Sequence, residues 1–338
     1  MNLVVYEDAA AFEVLRREWN ELVRRSSANT IFSTWEWMST WWSAYQPGLL
    51  HIAACRAEDE TLVAIAPWFL TETETGEQVL STIGCKEVTD YLDLIVDTAY
   101  VDAVLPRLAA HLQEHTSRFD TVFFCNIAED SLTYGQLPQH LEAQGFTIEL
   151  QPEDVCPVVS LPGDWQGYLT QLDKKQRHEV RRKMRRVLGQ NTEVDWFIVD
   201  DTHDLEEEME YFFKLMAMSD PDKAVFLQDE NNVRFFKNLA PIMLKAGWLQ
   251  LNFLTVNGDR AAAYMNFDYE GAVLVYNSGL DQETHGHLSP GIVLLAFNIQ
   301  HAIETGHHTF DFLQGDEEYK YRMGGKDRRV FNLEARLG

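Results

Sequence analysis

The sequence contains no Cys-x-x-Cys pair, no Walker-type GK[ST], no GxSxG and no HExxH. These absences argue against a zinc ribbon or dithiol redox site, P-loop hydrolysis, serine-hydrolase chemistry and zincin chemistry. The four cysteines, Cys55, Cys85, Cys125 and Cys156, are far apart and mostly flanked by apolar or small residues. Reduced, buried thiols are the expectation. No apolar run approaches the roughly 18 residues of a membrane span, and MNLVVYEDAA has no basic segment leading into an apolar core. A soluble cytoplasmic protein without membrane insertion is therefore expected. Positive charge is also scarce: 28 Lys and Arg face 53 Asp and Glu, a net charge of −25 that repels polyanions. General nucleic-acid binding is not expected of such a chain.

What remains is ample material for globular cores, with 46% apolar residues including nineteen Phe and nine Trp. At 338 residues the chain suits two domains of about 150 residues each. The turn-prone PEDVCP and LPGD segments mark the boundary, giving domains 1–155 and 156–338. The first half reads as mixed α/β. A strand at 2–6, helices at 9–25 and 34–45, and strand runs HIAACRA, LVAIAPWFL and EQVLSTIG precede YLDLIV, a helix near 99–115, the strand TVFFCN, a helix near 131–144 and the strand FTIEL. The second half opens with one long helix, about 165–188, on which Tyr168, Leu172, Val180, Met184 and Leu188 form an apolar stripe. The strand VDWFIV and helices near 205–218 and 231–245 follow, then strands WLQLNFLTV, RAAAYMNFDY and GAVLVYNSG, with a tight turn at VNGDR. The matching order of elements in the two halves points to a duplicated domain.

Two clusters stand out. KKQRHEVRRKMRR holds eight of the chain's basic residues within thirteen positions. It fits a solvated face, a cradle for a phosphate-rich ligand, or a tRNA contact, in that order. Trp35, Met38 and Trp42 fall at helical spacing, with Trp41 and Tyr45 beside them. That stripe reads as core, with an apolar wall for a substrate as its functional version. Asp90 and Tyr91 in TDYLDLIV are candidate substrate contacts.

The chemistry-bearing stretch lies further on. After GAVLVYNSG comes LDQETHGHLSPG, then a helix IVLLAFNIQHAIETG, then the strand HTFDFL. Ser289 suits the N-cap and Pro290 the first helical position, so the helix start aims free N–H groups at the loop, an anion-binding arrangement. Gly286 and Gly291 allow a phosphate group to approach the backbone. His285 and His287 lack an acidic ligand partner motif, so no metal is expected, and they stand as candidates for acceptor contact.

SPGIVLL followed by TGHHTFDFLQGDEEYKYRMGG resembles the GNAT acyltransferase superfamily, in its two-domain, acetyltransferase-like branch, related to cellulose-biosynthesis-associated proteins and to Fem-type aminoacyltransferases. FSTWEWMSTWW, DYLDLIV and the basic helix are also similar to that branch, so the resemblance spans most of the chain. It implies an α/β fold with a mixed sheet in each of two tandem GNAT-like domains, and a donor, acetyl-CoA or another acyl-CoA, whose pantetheine arm lies between splayed strands. Those strands are GAVLVYNSG and HTFDFL, with the pyrophosphate over Gly286, His287, Leu288, Ser289 and Gly291. The glycine spacing of HGHLSPG departs from the usual Q/R-x-x-G-x-G/A phosphate loop, and Fem-type relatives use aminoacyl-tRNA instead.

The activity expected from that resemblance is N-acyl transfer to an amine of a small-molecule, peptide or saccharide acceptor. A Fem-type transfer to a cell-wall or peptide precursor is the alternative, which leaves tRNA open as a partner, and a non-catalytic ligand-binding module is the third reading. Within FDFLQGDEEYKYRMGG, Asp316, Glu317 or Glu318 is placed to accept the proton of an attacking amine, and Tyr319 or Tyr321 to protonate the leaving group. Lys320 and Arg322 are candidates to hold an anionic substrate group, and Asp311 to face the cleft from its strand. An amphipathic helix with an exposed acidic face is the plain structural alternative.

Overall fold

The computed structural model describes residues 1–85, 88–189 and 193–338. It divides into two units, one of Met1–Val155 with Arg328–Gly338 and the other Cys156–Asp327. The C-terminal segment, expected with the second domain, belongs to the first. Its strand Lys326–Leu337 pairs antiparallel with Thr121–Ala128, with Leu333 opposite Phe124. A pairing across some two hundred residues leaves no local trace in the sequence.

In the first unit, Asn2–Tyr6, Leu49–Arg56, Leu62–Glu72 and Gln78–Thr82 run antiparallel in that order, and Thr121–Ala128 joins parallel to the last. Leu62–Glu72 is buried along nine successive residues because both of its faces are covered. Of the YLDLIV run only Ile95–Val96 is a strand, paired with Ala64 and Ile65. The helix expected near 131–144 is two short ones, Leu132–Gly135 and Leu137–Ala143. Cys85 and Cys125 form a disulfide, their Cα atoms 5.6 Å apart, whereas Cys55 and Cys156 are free and buried. Reduced thiols were expected for all four; the fold brings the turn at Cys85 against the strand at Cys125, which spacing in sequence does not reveal.

The aromatic stripe is core. Thr34 caps helix Trp35–Tyr45 by accepting from the Trp37 N–H, and Trp37, Met38, Trp41 and Trp42 are buried. Trp35 is half-buried, donating to the Phe12 carbonyl at 2.7 Å.

In the second unit the stretch expected as one helix is broken into Trp165–Gln171 and Lys174–Leu188. Leu172 is extended, and the Asp173 carboxylate accepts from the Gln176 N–H at 2.9 Å, starting a new helix. Tyr168, Leu172 and Val180 are buried as the stripe required; the side chain of Leu188 lies outside the described residues. Strands Val194–Ile198, Leu249–Val256, Asp259–Tyr269 and Ala272–Leu280 form an antiparallel run. The turn at VNGDR rests on Asn257 and Gly258, both at left-handed φ.

Alternation along these strands sorts their side chains. Leu254, Val256, Ala262, Tyr264, Val273 and Val275 pack with helix Pro290–Glu304. Neighbours in the alternation serve another set of contacts: Phe253 stacks on Phe197, and Tyr276 lies edge-on to both Phe236 and Phe267. Truncating such a buried ring to Ala costs about 3–5 kcal/mol. Helix Leu205–Ser219 lies so close to strand Ala272–Leu280 that a Cβ at Gly279 would come within 2.4 Å of the Met216 nitrogen. Only glycine permits that approach.

Candidate functional site in the second unit

Strand Ala272–Leu280 pairs parallel with Thr309–Asp311 over three positions only, Ala272 with Thr309 through Leu274 with Asp311. Beyond Leu274 the two diverge. The Phe312 N–H still bonds the Pro157 carbonyl at 2.9 Å, continuing the strand's pairing with its other neighbour, Phe146–Ser160, and the chain then leaves the strand at Leu313, with a left-handed φ of 54°. The strand read as HTFDFL is thus cut to three residues, Thr309–Asp311. Asp311 enforces the turn, its carboxylate accepting the Leu313 N–H at 2.8 Å.

Two cavities share a wall at this divergence. The first, about 300 Å³, is lined by Lys183, Tyr264, Gly286, Ser289, Pro290 and Gly291 among others. The second, about 420 Å³, takes in Asp220, Lys223, Val275, Phe312, Gln314 and Glu317. Ser278, Leu280, Gln282 and Tyr319 line both.

The first cavity lies against the start of helix Pro290–Glu304, whose first-turn N–H groups have no acceptor within the helix. Ser289 occupies the N-cap position but departs from the expected role. Its φ is 56°, its side chain makes no cap hydrogen bond, and its hydroxyl instead accepts from the Lys183 ammonium at 2.8 Å. Lys183 is the residue that carries the basic helix Lys174–Leu188 into the cavity. A Cβ on Gly291 would sit 2.7 Å from the Leu280 side chain, so Leu280 packs this closely on the helix start because residue 291 is bare. Of the five residues expected at a phosphate group, Gly286, Ser289 and Gly291 line the cavity. Leu288 is in the core and His287 is exposed outside it. His285 is buried beside a separate cavity with Tyr211, Arg260 and Asp281.

The acidic stretch folds as the plain alternative in part. Glu318–Arg322 is a short helix, and Arg322 pairs with Glu318 on its exposed face, so its guanidinium serves the helix. Asp316 and Tyr321 are exposed and line neither cavity. Tyr319 and Glu317 do line the site. The Tyr319 ring is edge-on to Phe312, with centroids 6.1 Å apart, and burial, with Tyr264 and Glu317 nearby, pushes its phenol well up. Burial likewise raises the Tyr264 phenol.

Lys320 corrects the expectation of an anion holder. It is 2% exposed, and its ammonium donates to the carbonyls of Leu313, Gln314 and Gly315 at 3.2, 2.6 and 3.2 Å. Glu317 supplies the counter-charge at 2.8 Å. With four acceptors already in place, Lys320 clamps the turn that ends the strand. Gly315 must be bare for this, since a Cβ there would meet Glu317 Oε2 at 2.4 Å.

Asp90 and Tyr91, candidates for substrate contact, are buried in the first unit, with the Arg328 guanidinium 4.3 Å from the Tyr91 ring centre. Lys183, Lys223, Tyr264 and Ser278 were not singled out by sequence. Lys183 was hidden in a run of eight similar charges, and nothing around Lys223 in PDKAVF distinguishes it from a surface lysine.

Among the described residues no helix is long and apolar enough to cross a membrane, and no group of three or more His, Cys, Asp or Glu is arranged to hold a metal. Residues 174–321 match the family model described as an acetyltransferase (GNAT) domain. No curated protein matches the sequence. Among solved structures the fold is similar to that of FemX, at 11% identity over 98% of this chain and 97% of that one, with a TM-score of 0.65. It is also similar to the C-terminal domain of a putative lysylphosphatidylglycerol synthetase from Agrobacterium fabrum, at 12% identity over 98% and 93%, TM-score 0.56. A tandem GNAT protein from the clavulanic acid biosynthesis pathway aligns at 13% identity over 100% and 99%, TM-score 0.53. At such identities the likeness is one of fold, and the fold is the tandem, mixed α/β arrangement expected from the sequence.

Proposed function

From the match of residues 174–321 to the acetyltransferase (GNAT) domain model, we propose that the protein is an N-acyltransferase whose donor, an acyl-CoA, lies across the diverging strands of the second unit. The observation that carries this reading is the pair of cavities joined at Ser278, Leu280, Gln282 and Tyr319, with a bare helix start at one end and a phenol, carboxylates and an ammonium toward the other. A helix N-terminus with Lys183 beside it suits the pyrophosphate of such a donor. Strand Ala272–Leu280 has no pairing with Thr309–Asp311 beyond Leu274, which leaves the edge from Val275 onward for the amides of a pantetheine arm, apart from Ser278, whose carbonyl already accepts from Lys223.

In this reaction the acceptor nitrogen bonds to the acyl carbon as the carbon–sulfur bond breaks. Glu317 takes the proton lost by the amine, directly or through water, and Tyr319 gives the thiolate its proton. A phenol pushed up by burial stays protonated at neutral pH, as a proton donor must. Lys320 holds both residues in place through Glu317 and the turn carbonyls.

A second reading, Fem-type transfer from an aminoacyl-tRNA to a cell-wall or peptide precursor, is favoured by Lys183, which ties the basic helix to the same cavity. Titration calorimetry with acetyl-CoA, free CoA and the variant Gly291→Trp separates the two. Saturable binding lost in the variant supports the CoA donor. Absence of binding, with retention of charged tRNA that weakens steeply in salt, overturns it in favour of the second.

A further inference from the structure

Lys223 is an ammonium without a counter-ion in the second cavity. It sits on the short helix Pro221–Phe226 and donates to the Ser278 carbonyl at 2.7 Å and to the Ser278 hydroxyl at 3.2 Å. Among the described residues no carboxylate lies within ion-pair distance of it. Two acids are near enough to act on it electrostatically, and each is committed elsewhere. Asp220 caps the helix that carries Lys223, accepting the Asp222 N–H at 2.7 Å, and Glu317 is paired with Lys320. Burial lowers the Lys223 pKa. An ammonium has three protons to donate, and Ser278 takes two. A half-buried cation with a proton to spare and no anion of its own is an incomplete pair that an anion in the cavity would complete.

We propose that Lys223 and Ser278 hold a carboxylate of the substrate in the second cavity, so that the transferred product carries an acid group close to its new amide. Ser278 and Tyr319 line both cavities, which places this anion beside the junction where transfer would occur. The inference rests on the acyl-transfer reading for the word product, and its test requires neither a donor nor turnover. The acid has two possible origins, the acceptor or the acyl chain, and paired probes tell them apart.

Binding is measured by calorimetry for N-acetyl-L-alanine against N-acetyl-L-alaninamide, and for N-methylsuccinamic acid against N-methylacetamide. The expected result is at least a tenfold preference for the acid in one pair. A preference in the first pair assigns the carboxylate to the acceptor, and one in the second assigns it to the acyl chain. In Lys223→Met the preference should fall to within twofold, and in Lys223→Arg, which keeps the charge, it should largely survive. Melting curves establish that each variant folds, and Lys223→Gln, which also removes the charge, takes the place of Lys223→Met should that variant not fold, with the same expected loss of preference. Equal binding of acid and amide in both pairs, binding of neither, or a preference untouched by Lys223→Met each overturns the proposal. Acetyl-CoA titration of the same proteins reports separately on the donor, so a failure of the CoA reading leaves this result interpretable.

Discussion

The two units share one order of elements and differ in what fills the gap between two strands. In each, a strand and two longer helices precede three antiparallel strands, a long helix and a further strand that joins in parallel. In the first unit the segment after Gln78–Thr82 folds back into the gap. The Leu92 N–H donates to the Asn126 carbonyl at 3.0 Å, Leu92 bridges to Ile127, and the Cys85–Cys125 disulfide fixes the turn to the same strand. In the second unit the corresponding segment, Asp281 to Leu288, winds into a short helix and a 3-10 turn, and the gap is open. The same architecture is a finished core in one copy and an open cleft in the other, and the difference is a stretch of chain, not a change of fold.

The largest effect expected from breaking this contrast is chemical. Tyr319→Phe removes the only phenol shared by the two cavities among the described residues, and under the general-acid role proposed for it kcat should fall about 10²- to 10⁴-fold with little change in KM. Steady-state kinetics with an identified acceptor checks it. An equal drop from Tyr321→Phe would shift the role to a residue outside the cleft.

The plug of the first unit is next. Asp93 is buried, and its carboxylate accepts from the N–H groups of Leu94, Leu132 and Thr133 and from the Thr133 hydroxyl, at 2.6 to 3.1 Å. Asp93→Ala leaves these donors without their acceptor and should cost about 3 kcal/mol, read as a lower urea midpoint. A change under about 0.5 kcal/mol would mean that the inserted segment is only loosely held.

The contrast also explains what could be read in advance. Strands at 249–256, 259–269 and 272–280 were legible because each run pairs alternating apolar residues with a compact turn, and helices starting at 205 and 230 carry their own caps, Asp204 and Asp229. Asp173 offered the same signal and was outweighed by the stripe running through it. Tyr319 and the helix start at Ser289 were legible because they lie in one continuous stretch. Lys183 and Lys223 were not, since each acquires meaning only from a partner more than fifty residues away, Ser289 and Ser278. The fate of Lys320 was equally hidden: its sequence neighbours are acids, while its structural partners are mostly backbone carbonyls.

The smallest expected effect concerns the long helix of each unit where it covers the first strands. In the second unit this contact is aromatic, Trp196 stacked on Phe297 at 5.7 Å with His301 edge-on. In the first unit it is a pair of buried imidazoles, with His51 Nε2 and His111 Nε2 2.9 Å apart. Burial, with Arg118 and His115 nearby, lowers the His51 pKa to about 4, and burial with His115 and His51 lowers that of His111 to about 3. The ordinary value is about 6.5. Below it, the unfolded chain binds protons that the folded unit refuses, so stability is full above pH 6.5 and falls as pH drops toward 4 and then 3. His301 is shifted the same way by burial, against the pull of Glu304 and Asp268, so the second unit adds a weaker term of the same sign. Urea midpoints of wild type and His111→Gln at pH 7 and pH 4.5 separate the contributions. Removing one of the two imidazoles should flatten the acid loss while leaving the ranking at pH 7 to packing alone. An unchanged slope would mean that His111 carries none of the acid sensitivity and would break the contrast between the two helices.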